Sequence, residues 1–180
     1  TRLAKVVGDT RALQIYQKLV NYNLDLFKKW PSEKRIYYSD FVEDFPIGSA
    51  SIVKQTQSGH DLGTRMLNAF KREFANTQSV VLIGSDCAEL EIEHIEQAFN
   101  HLQDLDVVLG PSRDGGYYLI GMSSIHKGLF EDMPWSEDHL FKQTKDFLDQ
   151  QNISYKLLDV LGDVDEYEDY LLVEKRLESY

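Results

Sequence analysis

Three aspartates that lie far apart along the chain have the residue type and the local setting to hold a cation. Asp86 follows the aliphatic run Val80–Ile83 and the pair Gly84-Ser85. The run predicts a strand buried on both faces of an α/β sheet, and such sheets bind ligands at the carboxyl ends of their strands. An ionised carboxylate there needs a partner, which predicts a metal ion or a phosphate-bound metal. The alternative is that Asp86 caps the helix that begins near Glu91.

Asp163 and Asp165 form the second acidic feature, directly after a predicted strand at 154–161. Residues two apart in an extended segment point the same way, so both carboxylates can face one ion. Asp165 has a competing role, because its spacing from Glu168 is that of a capping box, whereas Asp163 lies too early to cap. If these strands lie near Asp86, the three carboxylates converge and repel one another unless a cation binds. Magnesium prefers one or two carboxylates completed by phosphate oxygens, which predicts a nucleotide rather than a bare metal.

The turn at 112–116 is the third feature. Gly115 and Gly116 allow a ligand to approach the backbone closely, and Arg113 offers a planar cationic group for a phosphate or a carboxylate. The pair Asp114-Gly115 is equally an ordinary hairpin turn. Both interpretations remain open from the sequence.

Three further candidates have a structural alternative. Arg65 either forms a surface ion pair or reaches the site. Tyr117 and Tyr118 alternate along a predicted strand, so one is expected in the core and the other in a pocket. Trp135 either forms a pocket wall or is the hydrophobic staple of a helix capped by Ser136.

Alternating strands and helices must position these residues. Helices are predicted at 9–30, 61–74, 91–102, 136–150 and from 165, strands at 35–41, 52–55, 80–83, 106–110, 117–122 and 154–161, and a loop at 44–51. This alternation predicts an α/β fold with a three-layer αβα sandwich. We expect a mostly parallel but mixed sheet, because the strands at 106–110 and 117–122 are close enough to form an antiparallel hairpin.

Composition narrows the class of protein. With 180 residues of which 42% are hydrophobic, we expect a single domain over 1–180. Thirty acidic and nineteen basic residues give a formal charge of -11, which argues against nucleic acid or an anionic membrane as a partner. Cys87, the single cysteine, excludes an internal disulfide and fits a cytoplasmic location. The sequence contains no long apolar run, zinc-ligand spacing, Walker loop or dinucleotide-binding motif.

Six segments, in order along the chain, resemble one bacterial family. They are Thr1-Arg2-Leu3-Ala4, the stretch at 57–66, Ile83-Gly84-Ser85-Asp86-Cys87, the stretch at 110–121, Trp135-Ser136 and Asp163-Val164-Asp165. Through these segments the chain resembles DUF2064, a family of proposed glycosyltransferases. The resemblance implies a GT-A, or nucleotide-diphospho-sugar transferase, fold, which is Rossmann-like and is shared with phospholactate guanylyltransferases and molybdenum-cofactor nucleotidyltransferases. In the guanylyltransferases, aspartates matching Asp86, Asp163 and Asp165 hold magnesium.

The chain departs from the family pattern at two positions and at its start. The family usually has Pro where Ala88 stands and Thr where Glu166 stands, and neither is a proposed ligand. Family members open with a strand and a basic, glycine-containing loop that ends in Lys-Thr-Arg-Leu. Only the end of that loop is present here, so we expect the domain to lack its N-terminal strand and loop, and the resemblance implies that Arg2 binds phosphates.

The resemblance therefore implies a transferase that depends on Mg²⁺ or Mn²⁺ and uses a nucleoside-diphosphate sugar and an acceptor. The implied metal ligands are Asp86, Asp163 and Asp165; the phosphate-binding residues are Arg2, Arg65 and Arg113; and the substrate side is formed by Asp114, Gly115, Gly116, Tyr117 and Trp135. Two alternatives remain open. One is a guanylyl- or cytidylyltransferase-like nucleotidyltransferase that releases pyrophosphate, and the other is a non-catalytic nucleotide-binding subunit.

Overall fold

A computed structural model describes residues 2–42 and 52–180. The predicted loop at 44–51 lies outside the described residues. The helices are α1 (Arg2–Val7), α2 (Asp9–Lys29), α3 (Leu62–Glu73), α4 (Ile92–His101), α5 (Leu140–Gln150) and α6 (Tyr167–Val173), with single 3₁₀ turns at Lys127–Leu129 and Glu174–Leu177. The strands are β1 (Lys34–Tyr38), β2 (Ile52–Thr56), β3 (Val80–Ile83), β4 (Val107–Pro111), β5 (Tyr117–Met122) and β6 (Tyr155–Leu157).

Helix formation follows the apolar spacing of the sequence. In α2 the buried residues Ile15, Leu19, Tyr22 and Leu26 recur every three or four positions and therefore share one face. Helix α3 begins after Asp61, whose carboxylate accepts a 2.7 Å hydrogen bond from the Thr64 amide. Within the described part of the chain, no helix is both long enough and apolar enough to cross a membrane.

The larger sheet is mixed, and the prediction of a mostly parallel sheet is wrong. The larger sheet has the strand order β3-β5-β4-β6, in which β5 is antiparallel to both of its neighbours and only β4 and β6 pair in parallel. Strands β1 and β2 form a separate parallel pair. The cause is local: the tight turn at 112–116 folds β5 back against β4, and β5 therefore occupies the place beside β3.

Strand β3 differs from the buried central strand that its aliphatic run predicts. All four of its residues are only half-buried, and β3 forms one edge of the larger sheet within the described residues. An unbroken aliphatic run shows that both faces of a strand are covered, but it does not show how many neighbours the strand has. The prediction that β3 delivers Asp86 to the end of the sheet does not depend on that difference.

Helices cover both faces of the larger sheet, which confirms the three-layer arrangement. One core cluster joins α1, α2 and α6 to one face, with Val108 and Leu119 among its members. The other joins α3 and α5 to the opposite face, where Leu109 and Ile120 are buried. Neighbouring strand residues thus alternate between the two cores, as the pleat of a strand requires.

A shift in strand register places Tyr118 on the same side of the sheet as Leu119, whereas Tyr117 faces the other side. Leu119 pairs with Gly110, whereas Tyr117 pairs with Pro111, so Tyr118 is the extra residue of a bulge. The Tyr118 ring packs directly on Gly110, where a Cβ atom would overlap it. The buried Tyr118 hydroxyl donates a 3.1 Å hydrogen bond to the Asp159 carbonyl. Tyr118 is therefore the core tyrosine of the pair.

The start of α5 corrects one capping prediction. The residue before the helix is His139 rather than Ser136, and the cap has no side-chain hydrogen bond. Ser136 adopts a left-handed backbone conformation with φ 66°. Residues in that conformation belong to tight turns, so Ser136 ends a turn and does not begin the helix.

Replacement of a buried residue of the sheet should lower the free energy of unfolding far more than replacement of an exposed residue. We expect Ile120→Ala, at a fully buried position in β5, to lower the free energy of unfolding by about 2–5 kcal/mol through lost burial and a residual cavity. Leu172→Ala is the control, because Leu172 is 77% exposed, and its effect should stay within about 0.5 kcal/mol. Urea denaturation measures both values. Equal midpoints for the two variants would contradict the described core.

Candidate functional site

The two acid-bearing segments meet at one end of the larger sheet. Asp86 follows β3, and the amide of Val164 donates a 3.0 Å hydrogen bond to the backbone carbonyl of Asp86. Asp163 therefore lies directly beside Asp86, although the two are far apart in the sequence. The predicted cap on α4 does not involve Asp86, because Glu91 is the residue that caps this helix, in a reciprocal capping box with His94. Asp86 is thus free of the alternative role that the sequence left open.

The site carries unrelieved negative charge. Burial, followed by the charges of Asp86 and Asp114, raises the pKa of the Asp163 carboxyl to about 7, against hydrogen bonds from Ser112 and Cys87. The pKa of Asp86 is also raised, first by desolvation of its carboxyl and then by the charges of Asp114 and Asp165. Asp86 nonetheless keeps a face that is open to solvent, so an ion can reach it. Carboxylates in such an arrangement favour either a shared proton or a cation.

A divalent metal ion fits the inner pair of carboxylates, Asp86 and Asp163. The Oδ1 atom of Asp163 is buried and has no hydrogen-bond partner within the described residues. Such an orphaned acceptor is costly unless a cation or a proton satisfies it. No group of three or more His, Cys, Asp or Glu side chains in the described ranges is placed so that it could hold a metal ion by itself. Two carboxylates with the remaining ligands supplied by phosphates and water is the arrangement that Mg²⁺ prefers.

Asp165 lies at the rim rather than in the inner pair. Its carboxylate is exposed and forms a 2.8 Å ion pair with Arg2. The predicted capping box of Asp165 with Glu168 is wrong by one residue: Glu166 caps α6, and Asp169 completes the box. The Asp169 carboxylate also accepts the amide of Glu166 at 2.8 Å. The Asp165 carboxylate therefore has no capping role that would compete with a ligand role, and the three-acid set remains a prediction.

The other two predicted phosphate-binding arginines contact protein groups. Arg113 makes a bidentate ion pair with Glu89, with Nη–Oε distances of 2.9 and 2.8 Å. The Arg65 Nε atom donates to the Gly59 carbonyl at 3.1 Å, and this contact orders the turn before α3. Arg2, whose side chain is 67% exposed, is the predicted arginine that contacts a candidate metal ligand. The phosphate-binding roles of all three remain predictions.

In the turn at 112–116, Gly115 makes a close contact within the protein. Gly115 has φ 91°, and a Cβ atom there would overlap the carbonyl of Asp138. The Gly115 carbonyl in turn accepts a 2.8 Å hydrogen bond from the Phe141 amide. The close approach that the glycine permits is therefore made by the segment before α5. Asp114 accepts a 3.0 Å hydrogen bond from the amide of Gly116, and it contributes charge to the acidic group.

Tyr117 and Trp135 lie together on the α3 side of the sheet. Their rings meet edge to face with centroids 6.4 Å apart, and Trp135 also stacks on Phe130 at 6.4 Å. Gly63, in the first turn of α3, gives Trp135 its space, because a Cβ atom would overlap the indole. The Tyr117 hydroxyl is buried and has no hydrogen-bond partner in the described part of the structure. Trp135 thus packs on a helix and is not the staple of α5; its place in a pocket wall and its contact with substrate stay predictions.

Sequence reasoning missed Ser112 and Glu89. The Ser112 side chain is buried, and its hydroxyl donates a hydrogen bond to the carboxylate of Asp114, whose charge acts on Asp163. A serine in a turn cluster carries no distinctive signal, although its place two residues before Asp114 marks a local side-chain bond. Glu89 had no signal, because its partners come from segments that are distant in the sequence.

Known structures share this fold. This chain is similar to a proposed nucleotide-diphospho-sugar transferase of Desulfovibrio desulfuricans G20, at 26% identity and a TM-score of 0.84. The match covers 99% of this chain and 90% of that one. It is also similar to the 4-diphosphocytidyl-2C-methyl-D-erythritol synthase of Anaerococcus prevotii DSM 20548, at 13% identity and a TM-score of 0.64 over 89% of this chain and 86% of that one. A cytidylyltransferase of Leptospira borgpetersenii matches at 14% identity and a TM-score of 0.58, over 90% and 76% of the two chains. The fold is thus that of nucleotide-diphospho-sugar transferases and nucleotidyltransferases.

The family follows from the sequence itself. Residues 25–137, more than half of the chain, match DUF2064, described as an uncharacterized protein conserved in bacteria. The chain belongs to this family, which confirms the resemblance of its motifs. No curated protein matches the chain.

The raised pKa of Asp163 gives a pH-dependent stability of defined sign. Between the ordinary value of 3.8 and the folded value of about 7, the folded protein holds a proton that the unfolded chain has released. The contribution of this group to the free energy of unfolding therefore falls as pH rises through that window and is constant above it. Asp163→Asn cannot lose a proton, so its stability relative to the wild type should increase between about pH 5 and pH 8. Urea denaturation in EDTA measures the difference.

Asp61→Asn is the control for this measurement. The Thr64 amide lowers the pKa of Asp61, so the group has finished titrating below the tested range. Its stability difference from the wild type should stay constant over the same range when both proteins carry His60→Gln, which removes the 2.8 Å contact between the His60 ring and the Asp61 carboxylate. A difference for Asp163→Asn that is equally flat would show that Asp163 is not buried beside other acids.

Proposed function

We propose that this protein is a metal-dependent transferase that uses a nucleotide-activated donor, and that it acts as a glycosyltransferase on a nucleoside-diphosphate sugar. The observation that carries the proposal is the adjacent pair Asp86 and Asp163 at the end of the sheet, where a buried Asp163 oxygen has no hydrogen-bond partner among the described residues. This end is where α/β sheets bind their ligands. The family and the shared fold support the same class of activity.

The proposed site divides the work between the inner and the outer residues. Asp86 and Asp163 would hold Mg²⁺ or Mn²⁺, and Asp165 would be available to join them on leaving its ion pair with Arg2. The metal, when bound, offsets the negative charge that develops on the departing diphosphate. Arg2 then turns to the phosphates, since its guanidinium is exposed and already lies at the same rim. The buried hydroxyl of Ser112 keeps the neighbouring Asp114 carboxylate in place.

In glycosyl transfer, an acceptor oxygen bonds to the anomeric carbon of the sugar while the bond from that carbon to the diphosphate oxygen breaks. The acceptor loses its proton to solvent or to a base, and the nucleoside diphosphate leaves. Tyr117 and Trp135 form an aromatic wall next to the turn that bears Asp114, and we place the sugar or the acceptor against it. Trp135 is partly exposed, and an aromatic ring offers a large apolar face that suits the apolar side of a sugar.

A second candidate is nucleotidyl transfer. The likeness to cytidylyltransferases, and to a CMP:2-keto-3-deoxy-manno-octonic acid synthetase solved with CTP at 9% identity and a TM-score of 0.56, favours it at the level of the fold. In this reaction an acceptor phosphate or carboxylate oxygen attacks the α-phosphorus, and pyrophosphate leaves. The same pair of carboxylates would serve both reactions.

Ligand-induced stabilisation tests the proposed site. A thermal-shift screen compares the common nucleoside diphosphates and triphosphates, each with and without Mg²⁺. A nucleotide that binds the folded protein raises its stability by about 2.7 kcal/mol at a hundredfold excess over its Kd. We expect this gain to require the metal and to be lost in Asp86→Asn, because that variant keeps the shape of the side chain but not its charge.

Asp159→Asn is the matched control, because it makes the same substitution at an exposed position of the segment that leads to Asp163. It should keep the full metal-dependent gain. If no nucleotide stabilises the wild type in the presence of Mg²⁺ or Mn²⁺, the proposed donor site is wrong.

The products separate the two reactions. With the stabilising nucleotide as the activated donor, glycosyl transfer releases the nucleoside diphosphate and nucleotidyl transfer releases pyrophosphate, and chromatography distinguishes them. Asp86→Asn should abolish either product. Binding without any turnover would favour a nucleotide-binding subunit instead.

A further inference from the structure

Glu89 joins three segments that carry the acidic residues of the proposed site. Its Oε1 and Oε2 atoms accept hydrogen bonds from the two Nη atoms of Arg113 at 2.9 and 2.8 Å. Its Oε2 atom also accepts the backbone amide of Gly162 at 3.1 Å. We call Glu89, Arg113 and Gly162 the Glu89 clamp.

Each member of the Glu89 clamp is close in sequence to one of the acids. Glu89 is three residues after Asp86, Arg113 directly precedes Asp114, and Gly162 directly precedes Asp163. One carboxylate therefore connects all three acid-bearing segments. A shift at any of these contacts would move an acid relative to the others.

Backbone hydrogen bonds also join the segments that carry Arg113 and Gly162. The amide of Arg113 donates to the Leu161 carbonyl at 3.0 Å, and the amide of Leu161 donates to the Pro111 carbonyl at 3.1 Å. Gly162 also lies against the guanidinium, since a Cβ atom at this position would overlap the Arg113 Nη1 atom. The Arg113 side chain thus rests on the backbone that leads into Asp163.

These contacts distinguish the clamp from an ordinary surface ion pair. Exposed pairs contribute little, because a single flexible contact in water is easily lost. Here the pair is bidentate, the Glu89 side chain is only 21% exposed, and a backbone amide forms a third bond. Charge-assisted bidentate bonds fix direction as well as distance.

We infer that Glu89 is a positioning residue, which through Arg113 and Gly162 holds the segments of Asp86, Asp114 and Asp163 in the arrangement that binds the metal and its nucleotide. The inference rests on the proposed function for its effect on ligand binding. Its effect on the local backbone can be measured without any ligand. In this role Glu89 acts through Arg113 and Gly162 and is not itself a ligand.

The test compares Glu89→Gln with Glu91→Gln. Glu91 is a matched control, because it also pairs with an arginine, Arg176, at 2.9 Å, and it lies only two residues away. Hydrogen exchange without ligand should be about tenfold faster at the Gly162 and Val164 amides in Glu89→Gln, because the clamp loses its charge. The same amides should be unchanged in Glu91→Gln. Arg113→Lys, which keeps the charge but not the planar fork, should also speed their exchange.

The consequence for binding is measured with Mn²⁺ alone, by the electron paramagnetic resonance signal of the free ion. The Kd for Mn²⁺ should rise at least about fivefold in Glu89→Gln and stay within about twofold in Glu91→Gln. Unchanged exchange in Glu89→Gln overturns the inference, as does faster exchange with wild-type affinity for Mn²⁺. A wild-type protein that binds no Mn²⁺ refutes the proposed metal site, and the exchange data then decide the clamp by themselves.

Discussion

The Asp163 carboxylate is held beside Asp86 in protein surroundings that do not favour its charge, and this constraint governs the proposed site. A backbone hydrogen bond from Val164 to Asp86 brings the two segments together, so they cannot separate without breaking it. Burial and the neighbouring acids together raise the pKa of Asp163 to about 7. A fold that tolerates such repulsion stores free energy that a bound cation can release, which is a common property of functional sites.

The cationic side chains around these acids lie outside the inner pair. Arg2 contacts Asp165, and Arg113 contacts Glu89. Neither ion pair satisfies the Oδ1 atom of Asp163, which has no hydrogen-bond partner in the described residues. The outer ion pairs therefore stabilise the segments without neutralising the inner carboxylates. The chain has a formal charge of -11, which repels an anionic nucleotide. Binding of a nucleotide would therefore depend on a metal ion and on a few arginines.

The sheet explains why such a site can exist at this end. The antiparallel strand β5 separates β3 from β4, yet β3 and β4 run in the same direction, because each is antiparallel to β5. Strand β6 is parallel to β4. The segments after β3, β4 and β6 consequently leave the sheet at the same end, and they carry Asp86, Asp114 and Asp163. The mixed sheet thus preserves the property that a parallel sheet would have supplied, namely strand ends that converge.

The sequence by itself determined the elements and the candidate acids, because apolar spacing and turn residues report contacts between neighbours along the chain. Helices α2 and α3 and the hairpin of β4 and β5 were predicted in this way, and Asp86 stood out because an ionised carboxylate after a buried strand needs a partner. Only the tertiary structure decided the edge position of β3, the α6 cap at Glu166 and the ion pair of Arg113 with Glu89. At each of these three places, more than one residue or strand position agrees with the local sequence pattern. The choice among them is made by the packing of the whole core, where burial and hydrogen bonding are satisfied together.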